Sequence, residues 1–81
     1  MVVKRYAIVK RTGEKDVLIA TLMAESLERA DALANERFAK EKESLKRGEA
    51  MLVVELDDEV VFDADERVVN TSGNMNMFYK F

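Results

Sequence analysis

The chain has 81 residues, a length that predicts a single domain with a small hydrophobic core. It contains no cysteine and no histidine, which excludes disulfide bonds, thiolate sites and the commonest general base and metal ligand. The formal net charge of −3 does not suit a protein that coats nucleic acid or anionic lipid, and no apolar run approaches the roughly 18 residues of a membrane span. We therefore expect a cytoplasmic protein with no membrane contact, no cofactor and no bound metal.

Two strands joined by a tight turn are predicted at the start of the chain. Residues 2–11 and 16–23 are rich in β-branched and other apolar residues, which favours strands. Gly13 lies in the four residues between them and can supply the positive φ angle that hairpin turns require. The sequence thus predicts a β-hairpin before the first helix.

Residues 26–48 have the periodicity of one long helix of about 22 residues. The apolar residues that share one face of this helix are Leu27, Ala30, Ala34, Phe38 and Leu45. Ser26 suits the N-cap, because its hydroxyl can accept a hydrogen bond from a backbone N–H of the first turn. Gly48 can adopt the left-handed conformation that ends a helix. We expect this helix to cover one face of a sheet.

Three further strands and a tail are predicted after the helix. The strands lie at 50–56, 60–62 and 67–71, with acidic turns between them. Hairpins on both sides of one helix favour an α+β fold: a single antiparallel sheet of four or five strands with one long helix packed on one face, in the order ββαββ or ββαβββ. We assign residues 1–73 to a single domain. Residues 74–81 form a Met/aromatic tail that adds an edge strand, contacts a second copy or is disordered.

The predicted strands carry more apolar surface than one helix can cover. Residues 17–20 and 51–54 are apolar at every position, although a sheet with one solvated face normally alternates apolar and polar residues. A second copy of the chain, the tail, or a different protein could cover the second face, and we favour a homodimer. The residues on one side of the extended tail are Met75, Met77, Tyr79 and Phe81. These four are our candidates for partner binding, because aromatic side chains dominate interface energetics.

A small, non-enzymatic protein-binding module is the function that we expect from these surfaces. No hydroxyl side chain has a histidine to activate it, and each of the three glycines is isolated, so the sequence has neither a nucleophile elbow nor a phosphate-binding loop. The size and layout of the chain also look like those of many short bacterial or phage proteins.

A nucleic-acid-binding module is one alternative, and it depends on the first hairpin. Its candidate residues are Lys4, Arg5, Tyr6, Lys10 and Arg11. A tyrosine between cationic side chains could stack on a base while the cations hold phosphates. The net acidity of the chain argues against this alternative, and we favour the interpretation that these charges keep a strand edge from aggregating.

A metal-dependent regulator or enzyme is the other alternative, and it depends on the acidic residues of 57–66. They are Asp57, Asp58, Glu59, Asp63, Asp65 and Glu66. Carboxylates at this density could bind calcium or magnesium, but the glycine and the distal glutamate of a calcium loop are missing. We favour the interpretation that acidic residues form turns here and bind no metal.

Overall fold

The computed structural model describes residues 2–70 and 72–81 of the chain. Within them, four strands form one antiparallel sheet in the spatial order β2-β1-β3-β4, and two short helices follow the first hairpin. The elements are β1 (Lys4–Arg11), β2 (Asp16–Ala24), α1 (Leu27–Arg37), α2 (Ala39–Glu43), β3 (Ala50–Leu56) and β4 (Met75–Lys80). The predicted α+β class with a single antiparallel sheet is confirmed, whereas the single long helix and the identity of the later strands are wrong.

The first hairpin forms where the sequence predicted it. The backbone N–H of Thr12 donates to the carbonyl oxygen of Lys15 at 2.9 Å, and the Thr12 hydroxyl donates to the same oxygen at 2.9 Å. Further along, Ile8 lies opposite Ala20 while Val9 lies opposite Leu18, so β2 has one extra residue at this point. Such a bulge bends an edge strand and increases its local twist.

The predicted 26–48 helix is two helices with a break at Phe38. Ser26 is the N-cap as predicted, and its hydroxyl oxygen accepts a hydrogen bond from the backbone N–H of Arg29 at 3.1 Å. The helical geometry is lost at Phe38, where φ is −115° and ψ is 32°. The second helix ends at Ser44, whose hydroxyl donates to the carbonyl oxygen of Glu41 at 2.8 Å. Serine competes with helical hydrogen bonding in this way, and the early end brings Leu45 into the core.

The helices cover one face of the sheet. The buried apolar residues of this helix-side core are Tyr6, Ile8, Leu22, Ala24, Ala30, Ala34, Leu45, Met51 and Val53. Ala30 and Ala34 are fully buried, so α1 approaches the sheet through its smallest side chains. This side of the fold follows the predicted helical stripe.

The opposite face of the sheet, called the far face below, has its own apolar cluster. It consists of Ala7, Val9, Leu52, Val54 and Val68, with Leu56 and Val60 packed against it. The strand residues of this cluster alternate with those of the helix-side core, which explains why β1 and β3 are apolar at successive positions. From the sequence we expected a second copy, the tail or a different protein to cover this face, whereas Val60 and Val68 of the chain itself pack there.

The cover over the middle of the far face comes from residues 57–70, called the covering segment below. The strands predicted at 60–62 and 67–71 are wrong for the described residues; Thr71 lies outside them. Between these two stretches the structure has an isolated antiparallel bridge, from Phe62 to Val68. The turn between the two arms contains Glu66 at a φ of 61°, and the segment lies across the sheet because Val60 and Val68 find their apolar contacts there.

The C-terminal residues Met75–Lys80 form β4, an edge strand that pairs with β3. Met75 lies opposite Val54 and Met77 opposite Leu52, but Tyr79 lies opposite Met51. The pairing therefore contains one extra residue, Phe78, which packs against the helix-side core. This bulge changes which face the following side chains occupy.

Candidate interaction surface

The exposed methionines of β4 lie on the far face, beside the covering segment. Directly opposed residues of antiparallel strands have their side chains on the same face of the sheet. Met75 and Met77 therefore share the far face with Val54 and Leu52, which are fully buried. Met75 is 40% exposed and Met77 is 45% exposed. We call this pair of half-exposed side chains the β4 margin.

Tyr79 does not lie on the same face as the two methionines, and Phe81 follows the end of β4. Tyr79 follows the bulge and is on the helix side, where Lys42 Nζ lies 5.3 Å from its ring centroid. Phe81 is held by its backbone: its N–H donates to the Glu49 carbonyl oxygen at 3.0 Å, and its own carbonyl oxygen accepts from the Gly48 N–H at 3.2 Å. The expected single stripe is wrong, because the extra residue Phe78 reverses the alternation on which it was based.

A second group of exposed apolar residues lies along β2, at the other edge of the sheet. Leu18, opposite Val9, is 40% exposed, and Met23, opposite Arg5, is 52% exposed. The exposed Phe62 of the covering segment lines the same shallow depression as Leu18. The far face thus has a covered middle and two apolar margins, and the second margin was not among the predicted contact residues.

A buried carboxylate joins the first hairpin to the covering segment. The Asp16 side chain is fully buried, and Arg11 donates to both of its oxygens at 2.9 Å. Arg67 Nη1 donates to Asp16 Oδ1 at 3.0 Å, and the Val68 backbone N–H donates to Oδ2 at 2.9 Å. Burial alone would raise the pKa of Asp16, but hydrogen bonds from Arg11, from the Val68 N–H and from Arg67 outweigh it and lower the pKa to about 2.

Only one local pair of this network could have been predicted from the sequence. Arg11 and Asp16 face each other across the predicted turn, and this pairing could have been found from the hairpin register. Arg67 is 51 positions away from Asp16 in the chain and belonged to a predicted strand. A contact between residues so far apart in the chain leaves no periodic pattern in the sequence from which it could be predicted.

A second buried carboxylate lies at the opposite end of β3. Glu55 is 4% exposed, and its Oε1 lies 2.7 Å from Lys4 Nζ. The Asn74 side-chain amide donates to the other oxygen, and the Ser72 hydroxyl donates to the Glu55 carbonyl oxygen at 2.9 Å. Hydrogen bonds from Lys4 and Asn74 lower the pKa of Glu55 against the effect of burial. This network fixes Ser72 and Asn74, which follow the covering segment, to the end of β3.

The residues proposed for nucleic-acid binding do not share one surface. Tyr6 is 1% exposed in the helix-side core, and burial raises the pKa of its hydroxyl. A base could stack on its ring only if the core opened. Lys4 is on the same side as Tyr6, whereas Arg5 lies opposite Leu56 on the far side.

The remaining basic residues of that group already have acidic partners. Arg11 pairs with Asp16, and Lys10 Nζ lies 3.7 Å from Glu49 Oε1. Phosphate binding at these positions would have to compete with the existing ion pairs. The basic first hairpin is therefore not arranged as a continuous cationic face.

The acidic residues of 57–66 lie in two places: residues 57–59 bend directly after β3, and residues 63–66 are in the turn at the tip of the covering segment. Asp63 Oδ1 accepts hydrogen bonds from the backbone N–H groups of Asp65 at 2.8 Å and Arg67 at 2.9 Å. This is the ordinary local role of aspartate in a turn. In residues 2–70 and 72–81, no group of three or more metal-ligating side chains is close enough to hold a metal ion.

Comparisons with known proteins give no relative for this chain. A scan against protein-family models, a search of curated proteins and a search of solved structures each found no significant match. Across the described part of the chain, no helix is long and apolar enough to cross a membrane. The functional inference therefore depends on the surfaces described above.

Proposed function

We propose that the protein acts by binding another protein surface, and that the surface it binds is the β4 margin of a second copy. The observation that carries this proposal is the position of Met75 and Met77. They are half exposed at a sheet edge, directly beside the buried Leu52 and Val54. Flexible, polarisable methionine side chains adapt well to a facing apolar surface.

The absence of charge at the β4 margin favours a second copy over an unrelated partner. A two-fold contact brings the same patch of both molecules together, so a charge within the patch would face a like charge. The neighbours of the two methionines in the chain are Asn74, Asn76 and Phe78, and the first charge along β4 is Lys80. A two-fold contact confined to this patch brings no like charges together, and the acidic residues of the covering segment lie outside it.

The β4 margin by itself is small for a stable dimer. Stable interfaces bury about 800 Å² on each partner, which usually involves some 20–30 residues per side. Two half-exposed methionines with their neighbours provide only part of this area. We therefore expect a weak dimer whose population depends on concentration.

The test is solution mass by light scattering on a sizing column, over a range of protein concentrations. We expect the apparent mass of the native chain to rise with concentration, and the double variant Met75→Lys, Met77→Lys to remain a monomer. Met23→Lys is the matched control, because Met23 is 52% exposed on β2 at the opposite edge. A native chain that stays monomeric at all concentrations, or a double variant with native mass, would refute the proposal.

A further inference from the structure

The connection between β3 and β4 is much longer than its end points require. These strands are adjacent and antiparallel, so a hairpin loop of about 2–5 residues could join them. The connection instead runs from residue 57 to residue 74, which is 18 residues. Loops of more than about 12–15 residues without regular structure are uncommon in small domains and usually have a function of their own.

The covering segment is attached strongly at its tip. Arg67 Nη1 donates to the Thr12 carbonyl oxygen at 2.8 Å as well as to Asp16, and Nη2 donates to the Gly13 carbonyl oxygen at 3.2 Å. The backbone N–H of Asp16 donates to the Glu66 carbonyl oxygen at 2.9 Å. A single side chain, Arg67, therefore makes much of the connection between the segment and the hairpin.

Between this tip and the end of β3, the covering segment makes few apolar contacts with the sheet. Val60 and Val68 are the apolar side chains that the segment adds to the far-face cluster. Most of the others are exposed, including Val61 at 51% and Phe62 at 40%. Segments with little buried apolar surface open locally at lower free energy than a packed sheet does.

The surface beneath the segment is apolar and continuous with the β4 margin. Ala7, Val9, Leu52 and Val54 are fully buried there, and Leu52 and Val54 lie directly opposite Met77 and Met75. Displacement of Val60 and Val68 would therefore extend the exposed methionine surface across the middle of the sheet. The hydrogen bonds of β1 and β3 belong to the sheet and would remain intact.

We propose that the covering segment is a lid: it opens as a unit while the sheet stays folded, and the uncovered far face enlarges the contact with a second copy. The enlargement of the contact rests on the proposed function, whereas the opening itself does not. Arg67 is the side chain that holds this lid closed. The buried Asp16 remains paired with Arg11 when the lid is open, so the first hairpin keeps its buried ion pair.

Native-state hydrogen exchange tests the opening directly. The reporter amides of the lid are the two whose hydrogen bonds join it to the first hairpin: that of Val68, bonded to Asp16 Oδ2 at 2.9 Å, and that of Asp16, bonded to the Glu66 carbonyl oxygen at 2.9 Å. In the native chain we expect them to exchange at least roughly tenfold faster than the amides of β1 and β3. In Arg67→Ala they should exchange roughly ten- to a hundredfold faster again, the effect of losing hydrogen bonds to charged groups. Arg47→Ala, at an exposed arginine after α2, is the control and should change nothing.

The outcomes separate the lid from the dimer. If lid and sheet amides exchange at one common rate in the native chain, the lid does not open independently and the inference is wrong, whether or not Arg67→Ala folds. If the lid opens and Arg67→Ala dimerises at lower concentration than the native chain, both parts are supported. If the lid opens but the dimer does not tighten, the role of the lid in binding is refuted. The sizing experiment on Met75→Lys, Met77→Lys decides the proposed function separately.

Discussion

Replacement of the buried Asp16 carboxylate by an amide tests the network that joins the hairpin to the covering segment. Asp16→Asn keeps the shape of the side chain but removes the negative charge that faces Arg11 and Arg67. It also places the donor NH₂ group of the asparagine side chain against donors that already point at this position. Breaking one partner of a buried ion pair costs about 3 kcal/mol or more, so we expect a loss of about 3 kcal/mol in the free energy of unfolding near pH 6.

The pH dependence of this loss in the free energy of unfolding tests the network more specifically than the size of the loss does. The pKa of Asp16 falls from an ordinary value of 3.8 to about 2 in the folded chain, and one pKa unit corresponds to about 1.4 kcal/mol. Because the folded pKa is below the unfolded value, the stabilisation is complete above about pH 5 and is lost as the pH falls towards 2. The native chain should lose about 2 kcal/mol from this group between pH 6 and pH 2, and Asp16→Asn should lose none of it.

Urea denaturation followed by circular dichroism, repeated at intervals between pH 6 and pH 2, measures this difference. Glu55 also titrates with a lowered pKa, but its contribution is common to both proteins and cancels in the comparison. Asp58→Asn serves as the control, because Asp58 is exposed on the covering segment. If the gap between native and Asp16→Asn stability stays constant down to pH 2, Asp16 does not have a lowered pKa and the buried network is not as described.

Three further substitutions or deletions test the fold. Ala34→Leu should lower the free energy of unfolding by about 1–3 kcal/mol, because Ala34 is fully buried where α1 faces the sheet. Ala32→Leu, on the exposed side of α1, is the control and should be near neutral. Equal melting temperatures for the two variants would contradict the packing. Ser26→Ala should cost about 1 kcal/mol by removing the N-cap of α1, with Glu25→Ala as a control, in the same melting experiment. Deletion of residues 74–81 should abolish cooperative melting, because β4 pairs with β3 along its length and Phe78 packs into the core; a truncated chain with native melting temperature would refute this pairing.

Local patterns in the sequence predicted the first half of the fold well. The β-branched residues of β1 and β2, the intervening turn and the Ser26 cap each act within a few positions of the chain, and all are found where expected. The break at Phe38 was missed because the apolar stripe continues through it. The second helix ends at Ser44, and Leu45 after it packs in the core. The core contact of Leu45 is a tertiary contact that no helical periodicity shows.

The second half was predicted less well because its contacts are long-range. Residues 60–62 and 67–69 have the composition of strands, but the sheet already has β4 beside β3 and leaves no edge for them there. Their valines pack onto the face of the sheet instead. The tail was predicted as a stripe of four residues, and one bulge at Phe78 was enough to divide it between two faces. A single inserted residue reverses a period of two, so side-chain orientation near a strand end is the least secure part of such a prediction.

Because the chain covers the middle of its own far face, the apolar surface left for a partner is smaller than the sequence predicted, but it still lies on that face. From the sequence, a whole sheet face needed a cover, and we favoured a second copy over the tail and over a different protein. In the structure the chain covers the middle of that face itself, with Val60 and Val68, and leaves Met75 and Met77 beside it. A chain of 81 residues builds only a small core, so the 14 residues of the covering segment, most of them exposed, are a large share of the chain to serve as a cover alone. A cover that can be displaced, as proposed above, accounts for both features: the closed segment shields the middle of the apolar face, and the open segment would make the whole face available to a second copy.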